Sequence, residues 1–315
     1  LHMRRQLVKL GQDALDPEFQ VGTQSLMNLM RPISPGQPKR FGEIEDATAD
    51  RQYIASGCPY VDSAIPGFLI GGTHVALMGS GTGKSWFAIR AAINAARQGF
   101  GVLYLSLADL TEQRLAGRAM HTMTGWSKKP DGGEPLIRWN EAYNELYDLP
   151  IWWHDCSAYR GGNKLSNIMA LAEEYRRRKT DSVRLVIIDY VQMITPEGRG
   201  RYGWSVECES ELRLLANRIG ISMLFCSQMT ENSDGRMTVK GGTHWNEGAE
   251  WTLEAFEMPV GVYGANTSAA SHIRARCPEG PPLCVRMSKN RAGKRPPRIY
   301  ARLGTCMEIE EICKA

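Results

Sequence analysis

The sequence has no apolar run approaching the roughly 20 residues of a membrane-spanning helix. Its longest runs, 185–188 and 221–226, are far shorter, so no membrane span is expected. No charged segment followed by an apolar stretch opens the chain, and no secretory signal is read. Leu1-His2-Met3 reads as a cloning remnant. The eight cysteines (Cys58, Cys156, Cys208, Cys226, Cys277, Cys284, Cys306 and Cys313) include no C-x-x-C pair. Several fall inside apolar runs, where a thiol behaves as a small hydrophobe. That usage points to a reducing compartment, the cytoplasm or an organelle matrix. Histidine and cysteine never cluster at ligand spacing, which argues against zinc. Neither an internal repeat nor a low-complexity tract is found.

What is present is enough apolar material for a proper core: 315 residues, 43% of them hydrophobic. The formal charge of +4 is mild. Its positive part is concentrated late in the chain, at Arg199, Arg201, Arg236, Lys240, Lys289, Arg291, Lys294, Arg295 and Arg298. This distribution allows a polyanionic partner without requiring one. Residues 1–50, with Pro32, Pro35 and Pro38, read as a short helical segment and an extended linker. Residues 51–315 read as one α/β domain. From Ile54 onward, short apolar strands alternate with helical patterns, which implies a mostly parallel twisted sheet flanked by helices. Strands are expected at 74–78, 102–107, 183–188 and 221–226, and helices at 86–97, around Leu115 to Met123, at 165–175 and at 206–219. The basic run Arg176-Arg-Arg-Lys179 sits where a helix C-terminus favours cations. After Trp251 the pattern becomes closely spaced strands, at 283–288 and 298–303, and an antiparallel end is expected.

Between the strand ending at Met78 and the following helix lies Gly79-Ser80-Gly81-Thr82-Gly83-Lys84-Ser85. A glycine-rich loop in that place can surround phosphates with backbone N–H groups and the helix N-terminus. Lys84 would reach the β and γ phosphates of ATP, and Ser85 would give its hydroxyl to Mg²⁺. An ordinary glycine-rich turn is the plain alternative, and Met78 stands where the wider pattern has glycine. Such a loop needs a carboxylate at the end of a neighbouring strand, and Asp189 closes the run Leu185-Val-Ile-Ile. A simple strand-end cap is the other reading of Asp189. Gln228, at the end of the next strand, is placed to hydrogen-bond the γ-phosphate or the attacking water.

With these residues set out, the chain resembles the RecA-like motor domain of the DnaB family of replicative hexameric helicases over residues 54–304. The pieces that carry the resemblance are Met78-Gly-Ser-Gly-Thr-Gly-Lys-Ser85, Tyr104-Leu-Ser-Leu107 with Glu112-Gln113, Leu185-Val-Ile-Ile-Asp-Tyr-Val-Gln-Met193, Cys226-Ser-Gln228 and Lys289-Asn-Arg-Ala-Gly293. The Ile-Asp-Tyr-x-Gln run is the most specific of them. The resemblance implies an ATP-dependent DNA helicase, a homo-oligomer that is a ring of six, with ATP between neighbouring subunits and single-stranded DNA in the channel. It also implies a primase or a helicase loader as partner, in a bacterial, phage or plasmid setting. Lys289 and Arg291 match the family's Lys-x-Arg, which reaches the ATP of the adjacent subunit. Read without the family, they are a basic hairpin turn.

Two departures stand out. The family carries a glutamate that polarises the attacking water, and here that position is Ala108, which cannot accept a proton. Asp109 is the nearest substitute, although one step along an extended strand turns a side chain to the other face; Glu112 is the further candidate. The family's N-terminal domain is also larger than the 50 residues that precede the motor here, so these are either its truncated remainder or a naturally short version. For DNA, the segment 197–204 with Arg199 and Arg201, and the segment 232–246 with Arg236 and Lys240, follow the Asp189 and Gln228 strands. They suit phosphate contact and base stacking, or they are surface loops. Two rival readings are a RecA-like DNA-binding ATPase without unwinding activity and an ATP-gated scaffold with weakened hydrolysis.

Overall fold

The computed structural model describes residues 52–314 except 109, 159–160, 181, 196–203, 232–236, 240–243, 259, 279–280 and 305–308. The segment expected over 1–50 lies outside the described residues. In chain order the elements are β1 (Tyr53–Ile54), α1 (Pro59–Asp62), β2 (Phe68–Leu69), β3 (Thr73–Met78), α2 (Lys84–Arg97), β4 (Gly101–Ser106), α3 (Glu112–Thr124), α4 (Gly133–Asp148) and β5 (Ile151–Asp155). They continue with α5 (Leu165–Arg176), β6 (Val183–Asp189), α6 (Trp204–Ile219), β7 (Ser222–Glu231), β8 (Met237–Val239), β9 (Trp251–Glu257), α7 (Val260–Tyr263), α8 (Ser268–Arg276), β10 (Leu283–Asn290), β11 (Ile299–Leu303) and β12 (Ile309–Lys314).

Among the described residues, ten strands join one sheet in the order β12-β11-β10-β9-β3-β7-β6-β4-β5, with β8 paired to β7. The stretch from β9 to β5 is parallel throughout. The period of two in each central strand then divides the apolar side chains between two cores. Ala76, Met78, Val102, Tyr104, Leu185, Ile187, Leu224 and Cys226 face the side covered by α2. Val75, Leu77, Leu103, Leu105, Val186, Ile188, Met223 and Phe225 face the side covered by α5 and α6. Helix α2 packs closely because its inner face is mostly alanine: Ala88, Ala91, Ala92, Ala95 and Ala96 are all buried. No helix among the described residues is long and apolar enough to cross a membrane. Cys58, Cys156, Cys208, Cys226, Cys277 and Cys284 are buried thiols.

Three features differ from the sequence reading. Helix α4 was not read from the sequence, although Leu136, Trp139, Tyr143 and Leu146 recur at helical spacing, and none of its residues is buried. Helices α7 and α8 interrupt what had read as closely spaced strands after Trp251. The Trp251 strand itself, β9, is parallel to β3; the antiparallel end begins only at β10. A parallel neighbour requires a crossover, and the chain between β7 and β9 provides one.

His74, in the strand that leads to the phosphate loop, is fully buried. The Leu69 N–H donates to its Nε2 at 3.0 Å, so Nδ1 carries the proton and donates to the Met223 carbonyl at 3.2 Å. Phe68 and Trp251 pack on its ring at centroid distances of 5.3 and 5.1 Å. Burial drives its pKa down to about 3, against a smaller opposing effect of the Met223 carbonyl. An unfolded chain takes up a proton near pH 6.5 that the native chain refuses until about pH 3. Stability should therefore fall as pH drops below 6.5, by on the order of 1 kcal/mol per pH unit from this residue. Urea titrations across pH 4.5 to 7 should show a shallower slope for His74→Gln than for the wild type.

Candidate nucleotide site

The loop after β3 is held from below by β9. The Gly79 N–H donates to the Ala255 carbonyl at 3.0 Å. The Thr82 hydroxyl lies 2.9 Å from the Gly79 carbonyl and 3.3 Å from that of Ala255. Gly81 has φ 76°, and a Cβ there would meet no atom within 4 Å. The left-handed backbone, and not crowding, is what demands glycine. Gly83, with φ 94°, is the N-cap of α2 and brings no capping side chain. A Cβ at Gly83 would lie 3.0 Å from Leu303. The first turn of α2, with Lys84 and Ser85, therefore presents N–H groups without side-chain caps at the positive end of the helix dipole. That combination suits an anion.

Parallel register gathers three strand ends beside this loop. Met78 pairs with Gln228, and Asp189 lies between Ser106 on β4 and Cys226 on β7. Asp189 is only 5% exposed. Its Oδ2 accepts a hydrogen bond from the Tyr104 hydroxyl at 2.7 Å, and its Oδ1 stands 3.9 Å from the Lys84 ammonium. Lys84 also rests 4.1 Å from the centroid of the Tyr190 ring. The peptide bond between Asp189 and Tyr190 is cis. Burial first, and then the Asp189 charge, push the pKa values of Tyr104 and Cys226 well up, so both stay protonated beside the carboxylate. Among the described residues no group of three or more His, Cys, Asp or Glu could hold a metal ion. A metal at Ser85 and Asp189 would need phosphate oxygens and water to complete its shell, a usual arrangement for Mg²⁺.

Gln228 is half-buried, and its backbone is gripped by the side chain of Gln192. Ala108 follows β4, with the Ser106 hydroxyl donating to its carbonyl at 2.9 Å. Asp109 lies outside the described residues. Glu112 is exposed in the first turn of α3, beside a depression shared with Thr111, Gln113, His154, Asp155 and Ala158. On the other flank of the loop, an open cavity of about 500 Å³ is bounded by Ser80, Thr82, Glu257, Pro282, Arg302 and Leu303, among others.

Lys289 and Arg291 are elsewhere. Lys289 pairs with Thr252 and Asn290 with Trp251, at the start of β9, whereas Ala255 supports the loop. Four residues of strand, about 13 Å, separate the two levels. The Lys289 ammonium donates to the carbonyls of Asn246 and Glu247, both at 2.6 Å. Arg291 donates to the Glu247 carbonyl at 2.9 Å and lies 3.7 Å from the Glu250 carboxylate. Burial, and secondarily Arg291, lower the Lys289 pKa. The pair thus belongs to the opposite edge of the sheet from its own loop. Arg199, Arg201, Arg236 and Lys240 lie outside the described residues.

Sequence reasoning gave no role to Tyr104, Tyr190 or Gln192. A tyrosine within the otherwise aliphatic core of β4 was the available signal for Tyr104, since a buried hydroxyl needs a partner. Tyr104→Phe would remove the donor from a buried carboxylate. Loss of such a bond should cost about 1–3 kcal/mol, read as a lower urea midpoint at pH 7, with Tyr53→Phe as the control.

Comparison with known proteins follows this geometry. A family profile described as the DnaB-like helicase C terminal domain matches residues 54–240, more than half of the chain. No curated protein matches in sequence. Among solved structures, a DnaB-like replicative helicase, described together with its interactions with primase, is 17% identical with a TM-score of 0.66, covering 97% of this chain and 75% of that one. The isolated ATPase domain of another protein is 16% identical with a TM-score of 0.65, covering 94% of this chain and 99% of that one. A KaiC-like protein from Pyrococcus horikoshii OT3 is 16% identical with a TM-score of 0.56, covering 82% of this chain and 99% of that one. At these identities the structures speak for a shared RecA-like fold alone, while the profile match fixes the family: the chain belongs to the DnaB-like helicases, in their C-terminal domain.

Proposed function

We propose that this chain is the ATP-driven motor of a ring helicase that moves along single-stranded DNA during replication. The observation that carries the reading is the split of charged groups between two edges of one sheet. Lys84, Ser85, Asp189 and Gln228 gather at the carboxyl edge, while Lys289 and Arg291 are held at the other. In a head-to-tail ring the second edge of one subunit meets the first edge of the next. Arg291 and Lys289 would then neutralise charge developing on a neighbour's γ-phosphate, which makes hydrolysis depend on assembly.

Within one subunit, residues 79–83 cradle the phosphates and Lys84 binds the β and γ oxygens. Ser85 and Asp189 would hold Mg²⁺, which when bound neutralises phosphate charge. Tyr104 orients Asp189 by donating to Oδ2. Gln228 faces the terminal phosphate or the water that attacks it. The cavity beside Ser80 takes the nucleoside. Arg199, Arg201, Arg236 and Lys240, which follow the Asp189 and Gln228 strands in the chain, contact DNA phosphates in the ring channel. A primase or a helicase loader is the partner class that the likeness to a primase-binding helicase brings to this chain.

Ala108 favours a second reading, an ATP-gated scaffold with weakened hydrolysis, since alanine takes no proton from water. Asp109 is the base in the leading reading. Turnover and strand displacement on a forked duplex separate the two. Lys84→Ala should lower DNA-stimulated turnover by about 10²-fold or more, and Arg291→Ala should do the same without loss of nucleotide binding. Mixing equal amounts of the two variants should restore about a quarter of wild-type turnover, the share of interfaces that pair two intact halves. No recovery on mixing would place Arg291 outside the neighbour's site. Nucleotide binding without any turnover in the wild type would favour the scaffold.

A further inference from the structure

The pairing of β6 with β7 ends at Asp189 and Cys226, yet β7 runs on to Glu231. Past that point the chain after β6 turns away into a short 3-10 turn, Val191–Met193. The side chain of Gln192 takes over where the strand stops. Its Nε2 donates to the Ser227 hydroxyl at 2.7 Å and to the Gln228 carbonyl at 3.4 Å. Its Oε1 accepts the Gln228 N–H at 3.3 Å. One amide thus meets both backbone groups of Gln228, as a further rung of strand would. Few side chains can do this, because the span calls for one donor and one acceptor on the same planar group.

The two ends of this link are themselves fixed. Ser227 is fully buried, and Gln228 pairs on its other side with Met78, the last residue before the phosphate loop. The turn that presents Gln192 is tied to a second loop: Asn163 Nδ2 donates to the Met193 carbonyl at 2.8 Å, and the Thr195 N–H donates to the Asn163 carbonyl at 2.9 Å. The same turn begins beside Asp189 and Tyr190, which meet Lys84. Gln192 is therefore a direct mechanical connection between the Asp189 strand end and the Gln228 strand end.

We infer that Gln192 is a positioning residue that sets the Gln228 backbone relative to Asp189, so that recognition of the terminal phosphate by Gln228 depends on the turn after Asp189. This rests on the nucleotide reading above. Leucine at 192 would fill the space with no polar group. Glutamate would remove the donor and set a charge against the Gln228 carbonyl. Asparagine keeps the amide but falls one methylene short.

The test is a double-mutant cycle on the full chain with Mg²⁺, reading the ratio of Kd for ADP to Kd for a non-hydrolysable ATP analogue. Gln228→Ala is the reference, and Gln192→Leu, Gln192→Glu and the double variant Gln192→Leu/Gln228→Ala complete the set. Gln192→Leu should move the ratio in the direction of Gln228→Ala and by a similar factor, on the order of 5–10-fold for one lost hydrogen-bonded contact. Affinity for ADP alone should stay within about twofold, and the double variant should add little to Gln228→Ala, as expected of two residues acting as one unit. In turnover, the loss should fall on kcat more than on KM. Should Gln192→Leu fail to fold by circular dichroism, Gln192→Glu and Ser227→Ala carry the same test. Unchanged ratios in the Gln192 variants, with Gln228→Ala shifted, overturn this inference alone. An unchanged ratio in Gln228→Ala removes the sensor role of Gln228 and this inference with it.

Discussion

A parallel sheet sends all its carboxyl ends to one edge, and the register of β3, β7, β6 and β4 decides what meets there. Asp189 lies level with Ser106 and Cys226, and Gln228 is level with Met78. A slip of one residue in β6 would turn Asp189 into the opposite core and expose Ile188 on the side of the loop. The slip is resisted by the aliphatic division between the two cores, because every strand places alternate side chains on each face. Core packing thus fixes the position of the carboxylate to within the pleat. The Tyr104 hydroxyl fixes its rotation.

The same geometry keeps two cations away from the loop. Lys289 and Arg291 are held by carbonyls of residues 246–247 at the amino edge of β9, while Ala255 supports the loop at the other end. Strand length keeps the two levels apart by about 13 Å. No rotamer of a buried-stem lysine tied to two carbonyls closes that gap. Within one chain, Lys289 and Arg291 therefore stand at the opposite edge of the sheet from the glycine-rich loop.

Much of this was legible in the sequence, and for identifiable reasons. The phosphate loop, its strand and its helix are local, so glycines, lysine and periodicity sufficed to place them. The central strands announced themselves as aliphatic runs ending in a polar residue. Three things were not read from it. Helix α4 carries a stripe at helical spacing, Leu136, Trp139, Tyr143 and Leu146, that the sequence reading passed over, and none of its residues is buried. The parallel direction of β9 is set by its partner β3, some 170 residues away in the chain, a relation that local pattern does not carry. The Gln192 link is a side chain completing a strand's ladder, which becomes visible only when both strand ends are in place.

In the proposed site, binding and hydrolysis fall to different residues. The parts proposed to hold phosphate are the loop anchored on Ala255, the first turn of α2, Lys84 and Asp189, and none of them includes position 108. The parts proposed to act on water are a base beyond β4 and the amide of Gln228. In that reading alanine at position 108 leaves the cradle whole and lacks an acceptor of the kind worth, for general bases broadly, about 10²–10⁴ in rate. The Ser106 hydroxyl, at the end of β4, donates to the carbonyls of Ala108 and Leu110. In the proposed reading the base is Asp109 or Glu112, and hydrolysis then depends on a group outside the phosphate cradle.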